Sequence, residues 1–254
     1  MVSGMLALLI ATMGPGHGPE KAVERYKVDL TMQQDVDLSA MGQGVMSNKV
    51  TATMFLNVTM SDTTGGRLAH VVVDSIMLNA EGQMAMMFPP AMADSARGEF
   101  VHAYIVDGKM EGTPTLSAEG NSVLGLVTQG LNGMFPGVGP KAAGKAGWAD
   151  TVTTNTVNEN ANLNSSQIVT WTRTGMDGDV LMLSGRGEGS VTGEQQGNQI
   201  SGTVTNTVKA ETVIGGPARS AEVTSNQEMT VLSAQLPEPI PVKVTNTLVL
   251  MRLP

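Results

Sequence analysis

Tyr26-Lys27-Val28-Asp29-Leu30-Thr31-Met32-Gln33-Gln34-Asp35-Val36-Asp37-Leu38 is the stretch whose reading decides the fold. Tyr26, Val28, Leu30, Met32, Val36 and Leu38 share one parity, and Lys27, Asp29, Thr31, Gln33, Asp35 and Asp37 share the other. Successive side chains of a strand point to opposite faces, so this two-residue rhythm predicts a half-buried strand with one dry and one wet side. The rhythm returns at Val50, Ala52, Met54, Leu56, Val58 and Met60, set against Lys49, Thr51, Thr53, Asn57, Thr59 and Ser61. The expected class is all-β, built of long antiparallel strands with one short central helix. Either an open curved barrel or two packed sheets satisfies the pattern.

Working outward, Asp62–Gly66 reads as a turn. Leu68–Asn79 carries apolar residues on both parities and is expected to be a central strand. Met84–Ala96 is broken by Pro89-Pro90, and Asp107-Gly108 closes Phe100–Val106 as a hairpin. Val123, Leu124, Val127, Leu131 and Met134 recur at helical spacing, which predicts a helix over 122–135 with Ser122 as its cap. Pro136–Gly147 then reads as a Gly/Pro linker. The expected organisation is a β half over 20–135, the linker at 136–147, and a second β half over 148–254. In the second half Asp177-Gly178 marks a hairpin, and Ser184–Gly189 reads as a strand end or bulge. The phrase Val-Thr-Asn-Thr-Val/Leu stands at 204–208 and 244–248, with a variant at 152–157. It is expected to pair hydroxyls across strands on a solvent face.

Composition excludes several functions. The net charge of −8 disfavours binding to phosphate backbones, so no nucleic-acid partner is expected. There is no cysteine, hence no disulfide or thiol chemistry. Met5–Ala11 is a short apolar run followed by Gly14-Pro15-Gly16-His17-Gly18-Pro19, as in the core and cleavage region of a secretory signal peptide. Residues 1–18 are therefore expected to be a leader, although no Lys or Arg precedes Lys21. Periplasmic or secreted localisation follows, with no transmembrane span.

No catalytic set stands out. The chain has three histidines, His17, His70 and His102, and none has an acidic partner at ligand spacing. Gly-x-Ser-x-Gly is absent, and the dispersed carboxylates form no acid–base pair legible in sequence. No enzyme activity and no cofactor are expected. The cluster Met84, Met86, Met87 and Met92 offers soft thioethers suited to Cu(I), against the plainer reading of a mobile apolar loop. An amphipathic helix beside a long sheet points to an apolar groove lined by Leu124, Val127, Leu131, Phe135, Trp148 and Trp171.

Phe135-Pro136 after a short helix, a Gly-rich linker, and Gly147-Trp148 opening a Thr/Val strand resemble a family of uncharacterised bacterial exported β proteins. Here Ala146-Gly147-Trp148 stands where that family carries Gly-Asp-x-Trp. Long amphipathic strands with one inserted helix are also similar to the half-barrels of periplasmic lipoprotein and lipid carriers, in which a helix plugs a concave apolar face. Fold similarity is not function. The function expected is a non-catalytic envelope protein binding a hydrophobic small molecule or lipid. The alternatives are a structural or protein-interaction scaffold with an envelope protein partner, and Met-based copper handling.

Overall fold

The computed structural model describes residues 22–118, 120–139, 144–158, 161–233 and 238–254. The expected leader, with His17, lies outside the described residues. The alternating stretches form eleven strands: β1 (Val23–Asp37), β2 (Val45–Thr63), β3 (Gly66–Glu81), β4 (Phe100–Val106), β5 (Lys109–Leu116), β6 (Gly147–Asn158), β7 (Ala161–Asp177), β8 (Val180–Gln195), β9 (Asn198–Val213), β10 (Ala218–Leu232) and β11 (Ile240–Arg252). Among the described residues three α-helices interrupt them, α1 (Met84–Met87), α2 (Ala91–Ser95) and α3 (Ser122–Met134), with a 3-10 turn at Ser39–Met41 between β1 and β2.

All eleven strands belong to one antiparallel sheet, in the order β5-β4-β3-β2-β1-β11-β10-β9-β8-β7-β6, and the sheet does not close. Of the two expected arrangements, the single open sheet is the one formed. Its two halves join where β1 pairs with β11, Tyr26 opposite Arg252 through Val36 opposite Val242. The chain runs outward from β1 to the β5 edge. It then crosses through α3 to the opposite edge, β6, and returns to β11 beside β1. The β5 edge is short and carries Pro114, which cannot donate to a further strand.

Tyr26, Val28 and Leu30 of β1, and Val50, Ala52, Met54, Leu56 and Val58 of β2, are buried as their parity requires. β3 is internal, but its apolar residues on both parities have another cause. The register slips where Phe55 and Leu56 face Ser75 and Val73. This bulge changes the inward parity from Ala69, Val71 and Val73 to Ile76, Leu78 and Ala80.

The sheet coils most tightly through β7–β9. β7 approaches β9 across β8 to within 8 Å between Cα atoms, closer than the roughly 9.5 Å of two flat interstrand spacings. The cause is a glycine rhythm, Gly185, Gly187, Gly189 and Gly193, on the inward parity of β8. A Cβ at Gly189 would fall on Ser166 O and Gln167 Cα of β7, and one at Gly193 on Asn162 O. The Ser184–Gly189 stretch is therefore mid-strand, not a strand end or bulge. Its missing side chains let the neighbouring backbone fold inward.

α3 lies on the inward face and packs against β1, β4, β5, β10 and β11. Its cap is Asn121 rather than Ser122: Asn121 is extended, and its Oδ1 accepts from Val123 N at 3.0 Å. Pro136 bridges to Lys109, Gly137 N donates to Gly108 O, and Val138 is buried. The first residues of the expected linker are thus built into the fold.

Candidate functional site

The inward face divides into an apolar part under α3 and a polar part beyond it. Leu124, Val127 and Leu131 are fully buried and Phe135 nearly so, within one core that includes Val28, Met54, Leu248 and Leu250. Gly130 and Gly133 bring the helix close to the sheet. A Cβ on Gly130 would lie 3.5 Å from Val28 Cγ1, and one on Gly133 would lie 2.6 Å from Leu248 Cδ2. The other two expected groove residues are elsewhere. Trp171 is buried with Val138, Val169, Leu181 and Leu183, and Trp148 stacks against it at 6.1 Å. Its ring covers Gly185, whose absent Cβ would sit 2.8 Å from Trp171 Cε3. The six residues therefore fall into two clusters, joined by Val208, rather than lining one groove.

Past the helix, Asn246, Ser225 and Asn206 are opposed across β11, β10 and β9 on the inward parity. Asn206 Nδ2 donates to Gln167 Oε1 of β7. The Oδ1 atoms of Asn206 and Asn246 are buried with no protein hydrogen-bond partner. An unpaired buried acceptor costs about 1–3 kcal/mol, so this row is set to receive donors. In sequence the phrase assigns its asparagines no separate place and predicts hydroxyls paired across strands on a solvent face. The register puts only the threonines there: Thr207, Thr224, Thr247, Thr31 and Thr51 neighbour one another across five strands of the outer face. In the variant phrase, the side chains from position 154 onward are outside the described residues.

The methionine cluster does not converge. Met84 and Met92 pack against the core, whereas Met86 and Met87 are 80% and 57% exposed. Among the described residues no group of three or more His, Asp or Glu side chains is placed to hold a metal. A groove of about 560 Å³ lies on the outer face, lined by Met182, Lys209, Glu211, Glu222, Val249 and Met251 among others. Val249 and Met251 break the polar parity of β11, a signal visible in sequence but not used. Two further features were also missed. His70 and His102 are directly opposed on β3 and β4, with ring nitrogens 2.8 Å apart. At the ends of β1 and β11, Tyr26 donates to Glu24, which pairs with Arg252 at 3.1 Å. Burial, then Glu24, raises the Tyr26 hydroxyl far above its ordinary range, so it remains a donor.

Charge on the outer face makes a prediction about acid. Burial alone would raise Asp29, but hydrogen bonds from Lys27 and Thr53 outweigh it and hold the carboxyl low. Ser47 and Gln33 lower Asp35, and Ser39 lowers Asp37. Carboxyls lowered by folding stabilise the fold above their unfolded value near 4, and that stability is lost as pH falls through the folded values. His70 is held low by burial and then by His102. The unfolded chain therefore binds the proton more readily, and stability falls as pH drops below about 6.5. The urea midpoint should decline between pH 7.5 and 5.5 and again below 4. A midpoint rising on acidification would refute this.

The geometry defines an open, coiled antiparallel sheet whose inward face is covered in its apolar part by α3, with α1 and α2 packed beside β2 and β3. No protein-family model, curated protein or solved structure matches the chain. Among the described residues, no helix is long and apolar enough to cross a membrane.

Proposed function

We propose that this protein is a non-catalytic carrier of the bacterial envelope. It binds an amphiphile with a hydrocarbon tail against the apolar part of the inward face and a donor-bearing headgroup on the Asn206–Asn246 row. The observation that carries this reading is the helix itself. α3 covers the apolar centre of an otherwise open sheet, yet its 13 residues include Gly125, Gly130 and Gly133. Each glycine costs about 1 kcal/mol relative to alanine in a helix interior, so α3 owes its order to the sheet it covers. Displacing it exposes Val28, Met54, Leu248 and Leu250 as one apolar surface next to two unpaired acceptors.

Native mass spectrometry of the whole chain titrated with lysophosphatidylethanolamine tests this. One saturable adduct per chain is expected, weakened at least tenfold in the Asn206→Leu/Asn246→Leu double variant. Adduct formation that is absent, or unsaturable and indifferent to the substitutions, would sink the proposal.

A further inference from the structure

His70 and His102 stand 32 residues apart in sequence and directly opposite each other in the sheet. His70 Nδ1 and His102 Nε2 are 2.8 Å apart, with ring centroids at 4.8 Å and planes tilted by 48°. Phe100 packs against both rings, at 5.2 Å from His70 and 4.7 Å from His102. Both imidazoles are half-buried on the outer face. Their backbones are fixed by the β3–β4 ladder and their rings by the aromatic neighbour. Their outer neighbours in register are Thr59 of β2 and Thr115 of β5, neither of which carries a charge.

We infer that His70 and His102 form a two-nitrogen site for a divalent transition metal of tetragonal preference, Cu(II) before Ni(II), independent of the amphiphile face. The argument is geometric. With metal–nitrogen bonds of about 2.0 Å, two donors at a right angle lie about 2.8 Å apart, and two at the tetrahedral angle about 3.3 Å. The two rings share a hydrogen bond at 2.8 Å, a small turn of either ring brings both nitrogens into this range of separations, and the Irving–Williams order places Cu(II) first among the divalent ions. The nitrogens need only turn from facing each other to facing a common point, which rotation about the side-chain torsions supplies. The remaining corners are open to water or an external ligand, because the described residues offer no third His, Asp or Glu at this place. The methionines are not part of this site.

The test is titration of the intact chain with CuCl₂, followed by electron paramagnetic resonance and calorimetry. The expected result is one Cu(II) per chain with two equivalent imidazole nitrogens in its spectrum. Affinity should fall at least tenfold in His70→Gln and in His102→Gln, hold in His17→Gln, and follow Cu(II) above Ni(II) above Zn(II). The spectrum of the unaltered protein decides the nitrogen count even if a variant fails to fold. One nitrogen or none, or affinity lost in His17→Gln and kept in the other two, would overturn the assignment.

Discussion

Gly189→Val should be strongly destabilising. The new Cβ meets Ser166 O and Gln167 Cα, which are backbone atoms of β7 and cannot rotate away. Relief requires β7 to move off β8, which uncoils the sheet where it curves most. Overpacking usually costs about 1–3 kcal/mol, and a clash against backbone belongs at or beyond the top of that range. For a chain of this size that lowers Tm by roughly 6–12 °C. Differential scanning calorimetry checks it. A variant melting with the parent would mean that the inward glycines of β8 are not what permits the coil.

The second large effect is expected from Gly133→Leu. Here the obstruction is the Leu248 side chain, 2.6 Å from the position of the added Cβ, with Val223 Cγ2 at 3.7 Å. A leucine cannot share that space, so the C-terminal end of α3 must lift. Stability should fall by about 1–3 kcal/mol. Because the contact is with a side chain, Leu248→Ala in the same chain should return part of the loss, a coupling that a double-mutant cycle measures. Amide hydrogen exchange should show the loss concentrated in residues 122–134. The proposed function adds that the lifted helix leaves the apolar face more accessible, so lysophospholipid uptake should rise while stability falls. Uptake that falls in step with stability would separate the fold argument from the carrier argument.

The fold was legible where one physical rule acted alone. In β1 and β2 an unbroken parity gives strand, face and core together, from Tyr26 to Leu30 and from Val50 to Val58. α3 was legible from Val123, Leu124, Val127, Leu131 and Met134, since a 3.6-residue period stands out against strands. Elsewhere two causes produce one pattern. Apolar residues on both parities of β3 read as double-sided burial, but the bulge between Val73 and Ser75 flips the face. Ser184–Gly189 reads as a strand end or bulge because glycine weakens strands, yet alternate glycines are what a sharply coiled strand requires. The site was less legible because it depends on register. A one-residue difference decides whether Asn206 and Asn246 face solvent or the inward face. His70 and His102 meet only through the β3–β4 ladder, which neither residue's neighbourhood specifies. Trp148 and Trp171 do meet each other, but across β6 and β7 and away from α3, so their aromatic character was a sound sign of burial and a poor guide to location.

The central claim is that ligand enters only when α3 leaves the sheet, and a reversible tether tests it most directly. The chain has no cysteine, so Val28→Cys/Gly130→Cys introduces a single pair, between a β1 side chain and the helix position 3.5 Å from its Cγ1. Uptake of a fluorescent single-chain lipid is then measured in the oxidised and the reduced protein. The account predicts that the oxidised form takes up none and that dithiothreitol restores saturable binding. Equal uptake in both forms would place the ligand elsewhere, with the outer groove at Met182 and Met251 the first place to look, and would contradict the carrier mechanism.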